Sequence, residues 1–154
     1  MDNVSLILKF LAIASLAGLL GAVGMTGVMQ LLARTRWTRA DMIVAVGSLL
    51  TKSRENALLV GVLMHAISAI VFGIIYALLL MALQLTTWPA ALFAGSGFGM
   101  FHGLVVSLSL CWIVADRHPL EEFRNVSVSV AASHFIGHLA YGAIVGFVIA
   151  LSPL

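Results

Sequence analysis

The chain has 154 residues, of which 62% are hydrophobic and only 9% charged. A water-soluble domain covers its surface with roughly a quarter charged residues, so this composition excludes a soluble globule, a disordered chain and a nucleic-acid binder. Eight Lys and Arg against six Asp and Glu leave a net charge of +2, which informs topology and does not mark a polyanionic partner.

The opening Met1-Asp2-Asn3 lacks the basic start of a signal peptide, and the apolar stretch behind it is too long for one, so a retained helix is expected. Phe10 to Ala33 carries no charge, and neither does Asn125 to Leu154. The same holds for Asn56 to Ala115, a run of sixty residues divided by Gln84-Leu85-Thr86-Thr87-Trp88-Pro89. A helix needs about 20 apolar residues to cross a hydrocarbon core of about 30 Å. The long run therefore holds two helices with a tight turn at Thr87-Trp88-Pro89, where proline stops one helix or begins the next. Four spans are expected, at about 6–33, 57–84, 89–115 and 127–151. Continuous apolar runs without period-two alternation argue against a β-barrel. Between the first two spans, Asp41 to Leu50 is too short to cross. Basic and aromatic flanks at Trp37, Arg39, Lys52 and Arg54 make it an interfacial helix over about 40–51, or else an extension of its neighbours. The expected fold is a single all-α integral membrane domain, a four-transmembrane-helix bundle with that short interfacial helix.

Arg34, Arg36, Arg39, Lys52 and Arg54 crowd the first loop, and Arg117 and Arg124 the third, whereas the opposite side offers only Lys9. The positive-inside rule places both charged loops in the cytoplasm and both termini outside. The five cations of the first loop are candidates to meet lipid head groups. In the third loop Pro119 is expected to open a short helix, with Glu121 and Glu122 in its first turn. His118 there is expected to be solvated.

Small residues recur at four-residue spacing: Gly95, Gly99 and Gly103 on the third span, and Gly142 and Gly146 on the fourth. Such spacing lets helix backbones approach closely. The two readings are packing within the bundle and an interface with another membrane subunit or a second copy.

No Asp, Glu, Lys or Arg lies inside a span, which removes intramembrane ion pairs, carboxylate relays and voltage-sensing arginines. Histidine is what remains. At 1.5 Å per residue, His65, His102, His134 and His138 all lie about 10 to 20 Å from the charged-loop side, in one layer. His134 and His138 share a helix face and are able to chelate a metal with help from neighbouring helices. Alternatively His65 opposite His134 or His138 ligates a b-type haem, with Gly61 or Gly137 leaving room for the macrocycle. Tyr76 and Tyr141 are candidate supporting donors. Set against this is plain structure: a neutral histidine bonds a carbonyl or a serine, Ser68, Ser96, Ser107, Ser109 or Ser133, on the next helix. Proton handling is a third use. Met64 and Met100 flank histidines and are soft enough for Cu(I), though methionine also simply fills cores. The single cysteine, Cys111, faces away from His102 and rules out a disulfide framework or Cys-x-x-Cys motif. No phosphate loop, nucleophile elbow or carboxylate pair is present.

Three segments together carry a resemblance: Asp41-Met42-Ile43, then Leu63-Met64-His65-Ala66 leading to Phe72-Gly73-Ile74-Ile75-Tyr76-Ala77, and Gly137 to Gly146 with its H-L-x-Y-G-x-x-x-G pattern. The chain resembles small four-span bacterial inner-membrane proteins of unassigned role, the YagU-like proteins among them. The resemblance implies a bacterial inner-membrane location and directs attention to His65, His138, Tyr141, Gly142 and Gly146.

The leading expectation is a non-enzymatic accessory or structural subunit of a homo-oligomer or larger membrane complex, touching lipid and other membrane subunits. The alternative is a haem- or metal-binding redox module on the histidine cluster. A small transporter or channel comes third, because charged pore residues and an inverted repeat are missing.

Overall fold

The computed structural model describes residues 2–38, 42–109 and 115–154. Among these, all regular structure is helical: α1 (Asn3–Arg34), α2 (Met42–Thr51), α3 (Ala57–Ala82), α4 (Ala90–Ser109), α5 (Ala115–Arg117) and α6 (Val128–Ala150), with a 3-10 turn at Glu121–Phe123. Arg39, Asp41 and Cys111 fall outside the described residues.

Four of the helices, α1, α3, α4 and α6, are long and apolar enough to cross a membrane. This is an all-helical, multi-pass membrane bundle with a short apolar helix between its first two long ones. Helix α1 starts earlier than expected because the Asp2 side chain caps it, accepting from the Ser5 backbone N–H at 2.9 Å. Its 32 residues reach about 48 Å, well past a hydrocarbon core of about 30 Å. Helix α4 is described only to Ser109 and α5 begins at Ala115, so the expected third span's last residues lie largely outside the described ones.

The four long helices run side by side in the order α3, α1, α6, α4, with α3 touching α4 and α6 sparsely. Absent side chains set these distances. A Cβ placed on Gly95 would run into the carbonyl oxygen of Gly142, and one on Gly142 into that of Gly95. Gly99 meets the His138 carbonyl and Gly146 the Ala91 carbonyl in the same way. The α4–α6 seam is thus backbone against backbone, the form of contact that lipid favours. Gly18 and Gly73 do the same for α1 and α3, and Gly47 and Gly61 for α2 and α3.

The two charged loops are tied together at one end of the bundle. Arg54 donates from its Nε to Glu122 Oε1 at 2.7 Å and from a terminal nitrogen to Oε2 at 2.9 Å. This guanidinium is one of the five cations expected near lipid head groups, and here it also pairs with a carboxylate. The Arg54 hydrogen bond holds the Glu122 carboxyl below the usual carboxylate range. A carboxyl depressed in the folded state stabilises it above its unfolded value, and that support is lost as pH falls through the folded value. Thermal unfolding followed from neutral pH down through the carboxylate range should therefore show an acid-limb loss that Glu122→Gln removes. An identical acid limb in the variant would contradict the assignment.

His118 is the clear departure. Expected to be solvated, it is fully buried. Its Nε2–H donates to the Ala45 carbonyl of α2 at 3.0 Å, and its Nδ1 accepts from the Leu120 N–H at 3.0 Å. Leu120 supplies a donor on one side and Ala45 an acceptor on the other, which places a ring proton on Nε2. The Phe123 ring closes against it at a centroid separation of 4.9 Å. Burial follows because α2 folds back over the third loop and offers an otherwise buried polar atom a partner. Pro119 precedes the 3-10 turn without opening a helix of its own.

Candidate functional site

Between α1, α2, α3, α4 and α6 lies a cavity of about 470 Å³. It occupies the half of the bundle nearest the charged loops, and α2 roofs it with Met42, Ile43 and Val46. The seam that joins α4 to α6 also builds this space. Gly99 and Gly103 let α6 bring His138 against α4: a Cβ on Gly103 would sit 2.9 Å from the His138 Cβ. Across the bundle α3 and α4 stay apart, bridged by side chains in place of backbone contact.

All four span histidines line this one cavity. His102 and His138 are in T-shaped contact, ring centroids 4.6 Å apart, and His134 lies 6.4 Å from His138. His102 also stacks on Phe72 of α3 at 3.9 Å and its Nδ1 pairs with the Tyr76 hydroxyl at 3.2 Å.

The hydrogen bonds differ from those expected. The His134 Nδ1–H donates to the Val130 carbonyl at 3.0 Å and the His138 Nδ1–H to the His134 carbonyl at 2.8 Å. Both acceptors lie one turn back on the same helix, not on a neighbour. A carbonyl only accepts, so each neutral ring carries its proton on Nδ1 and keeps an acceptor lone pair at Nε2. Four of the serines expected as partners bond backbone instead: Ser96, Ser109 and Ser133 donate to their own helix, and Ser107 to the Ala131 carbonyl of α6. The Nε2 of His65 is buried and has no hydrogen-bond partner among the described residues.

The two tyrosines serve different ends. Tyr76 meets His102, not His65. Tyr141 packs its ring where Gly21 lacks a side chain and donates its hydroxyl to the Ala69 carbonyl of α3 at 2.7 Å. It links α6 to α3 beneath the cavity.

The room expected for a macrocycle is filled. Ile43 backbone occupies the space beside Gly61, and Met25 and Met29 occupy that beside Gly137, 3.1 and 3.2 Å from where a Cβ would stand. Among the described residues no three His, Cys, Asp or Glu side chains stand together as a metal-ion site. Of the flanking methionines, Met64 lines the cavity while Met100 faces outward, 53% exposed.

Several wall residues escaped the sequence reading. Met25, Met29 and Met42 line the cavity, as do Thr26 and Gln30 of α1. Thr26 and Gln30, one turn apart in an uncharged stretch, are the signal that marks this face; counting charges alone passes over them.

No protein-family model matches the chain, and comparisons with curated proteins and with solved structures found no match.

Proposed function

We propose that this is a non-enzymatic membrane protein that binds one small organic molecule inside its bundle, among His65, His102, His134 and His138. The observation that carries this reading is the cavity itself: about 470 Å³, within the range of about 300–1,000 Å³ typical of small-molecule sites. Its wall is apolar with a few convergent polar atoms, which is how such sites combine affinity with orientation. A bare ion needs neither that volume nor those methionines, and a resident haem fits poorly beside Gly61 and Gly137. The charge asymmetry supports placing the charged loops, and so the cavity, on the cytoplasmic side of a bacterial inner membrane.

The test is extraction of gently purified, never-chelated protein, followed by mass analysis of the organic fraction and elemental analysis of the remainder. Wild type should release one organic species at near-stoichiometric yield, reduced in His138→Ala. Stoichiometric iron, copper or zinc that falls in His138→Ala would instead establish the metal or haem reading.

A second reading, the accessory subunit, is favoured by the outer face of α4. Phe93 and Phe101, each 70% exposed, flank Gly97, beside which a Cβ would meet nothing within 4 Å. That face fits lipid or a second apolar helix. Purification as an isolated monomer in mild detergent, with nothing enriched in a pull-down, would contradict it.

A further inference from the structure

The cavity does not end at the helices. A groove on the outer surface between α1 and α3 shares Ala22, Thr26, Gln30, Ile43 and His65 with it. The groove's rim is lipid-facing: Val23 is 70% exposed and Val62 47%. Gly27 belongs to this groove, and a Cβ there would meet nothing within 4 Å, so α1 is unpacked at the opening. Two helices that pack backbone to backbone at Gly18 and Gly73 therefore separate toward the charged-loop end. The gap leads sideways into the hydrocarbon of a bilayer.

At the inner end of that gap stands His65, whose buried Nε2 has no hydrogen-bond partner among the described residues. Buried polar atoms are nearly always paired, and one left alone is a place where a missing partner fits. Deeper in, His134 and His138 present Nε2 lone pairs, because their Nδ1–H groups are committed to backbone carbonyls. These are acceptors, and they call for a donor. Around them Met25, Met29, Met42 and Met64 contribute thioethers and Phe72 an aromatic face. Thioethers favour contact with aromatic rings.

Resting on the binding reading above, we infer that the occupant is a lipid-soluble hydroxyaromatic, a phenol or hydroquinone bearing an apolar tail. It enters from the bilayer between α1 and α3 and donates its O–H to His65 Nε2, which accepts in the Nδ1–H form of the neutral ring. The ring lies against Phe72 and the methionines, and the tail lies along the groove past Gly27 toward lipid. No bond is made or broken.

The experiment uses full-length protein in lipid nanodiscs, radiolabelled para-nonylphenol as probe, and para-nonylanisole, its methyl ether, as competitor. Saturable binding at one site per chain is expected, with the ether about tenfold weaker because it has no proton to donate. His65→Leu should bring phenol and ether to equal affinity, and His65→Phe should do the same if the leucine variant does not fold. Gly27→Trp should slow association and, because the tail lies past this position, weaken phenol and ether alike without changing their ratio. Equal affinity of phenol and ether in wild type would overturn the donor assignment while leaving ligand binding in the cavity intact. An unchanged association rate in Gly27→Trp would overturn the lateral route. Absence of saturable binding by either compound would overturn the inference as a whole. The binding reading itself falls only if extraction also recovers no organic species.

Discussion

Replacing Gly142 by valine is expected to abolish the folded bundle. A side chain at this position runs into the Gly95 carbonyl and comes within 2.9 Å of the Gly99 Cα. Both obstacles are backbone, so no rotamer change relieves them, and α4 must move away from α6 along its length. Overpacking a core costs typically 1–3 kcal/mol where side chains can adjust; here about 3 kcal/mol or more is expected, with His138 displaced from His102 as the seam opens. Gly97→Ala, on the outer face of the same glycine-rich helix, should leave stability unchanged within about 1 kcal/mol. Detergent-titration unfolding in mixed micelles measures both. Equal losses in the two variants would contradict the seam, since helix propensity alone favours both replacements over glycine.

His118→Ala is expected to release the roof of the cavity. The ring is fully buried and joins α2 to the third loop through Ala45 on one side and Leu120 on the other. Truncation leaves a void and orphans two backbone groups, a combined cost of about 2–4 kcal/mol. The loss should concentrate in α2. Amide hydrogen exchange over Met42–Thr51 should accelerate far more than exchange in α4 or α6. Unchanged protection in α2 would mean that its packing on α3 through Gly47 and Gly61 suffices without the histidine.

The long helices were legible because charge is so scarce that its absence marks each span. Their ends were less so. Asp2 starts α1 early by capping it, a local effect of one side chain that a count of apolar residues does not register. The glycine spacing on the third and fourth spans identified close-packing faces, but one sequence does not say which faces meet. In the fold Gly95, Gly99 and Gly103 lie on Gly142, Gly146 and His138, inside the bundle, so they leave no glycine face there for another subunit.

The histidines divide along the same line. Their expected depth follows from a fixed rise per residue and needs only the chain itself. Their partners depend on how each helix is rotated about its axis, which packing decides. Hence Tyr76 pairs with His102 across α3 and α4, and His134 and His138 turn back to their own helix. His118 was missed for a different reason. A histidine beside proline in a charged loop resembles a solvated one until α2, 73 residues away at Ala45, covers it. Likewise Gln30 and Thr26 drew no notice among apolar neighbours, yet they stand where the cavity meets the outer groove.

The most direct test of the account is native mass spectrometry of the protein ejected from its own lipids, comparing wild type with Val106→Trp. Val106 lines the cavity one turn beyond His102, and an indole there would intrude on the space without replacing a histidine or a seam glycine. The account predicts wild type carrying a single organic adduct that the filled variant lacks, both chains being equally folded. A wild type that emerges bare, or an adduct that persists undiminished in Val106→Trp, would contradict it.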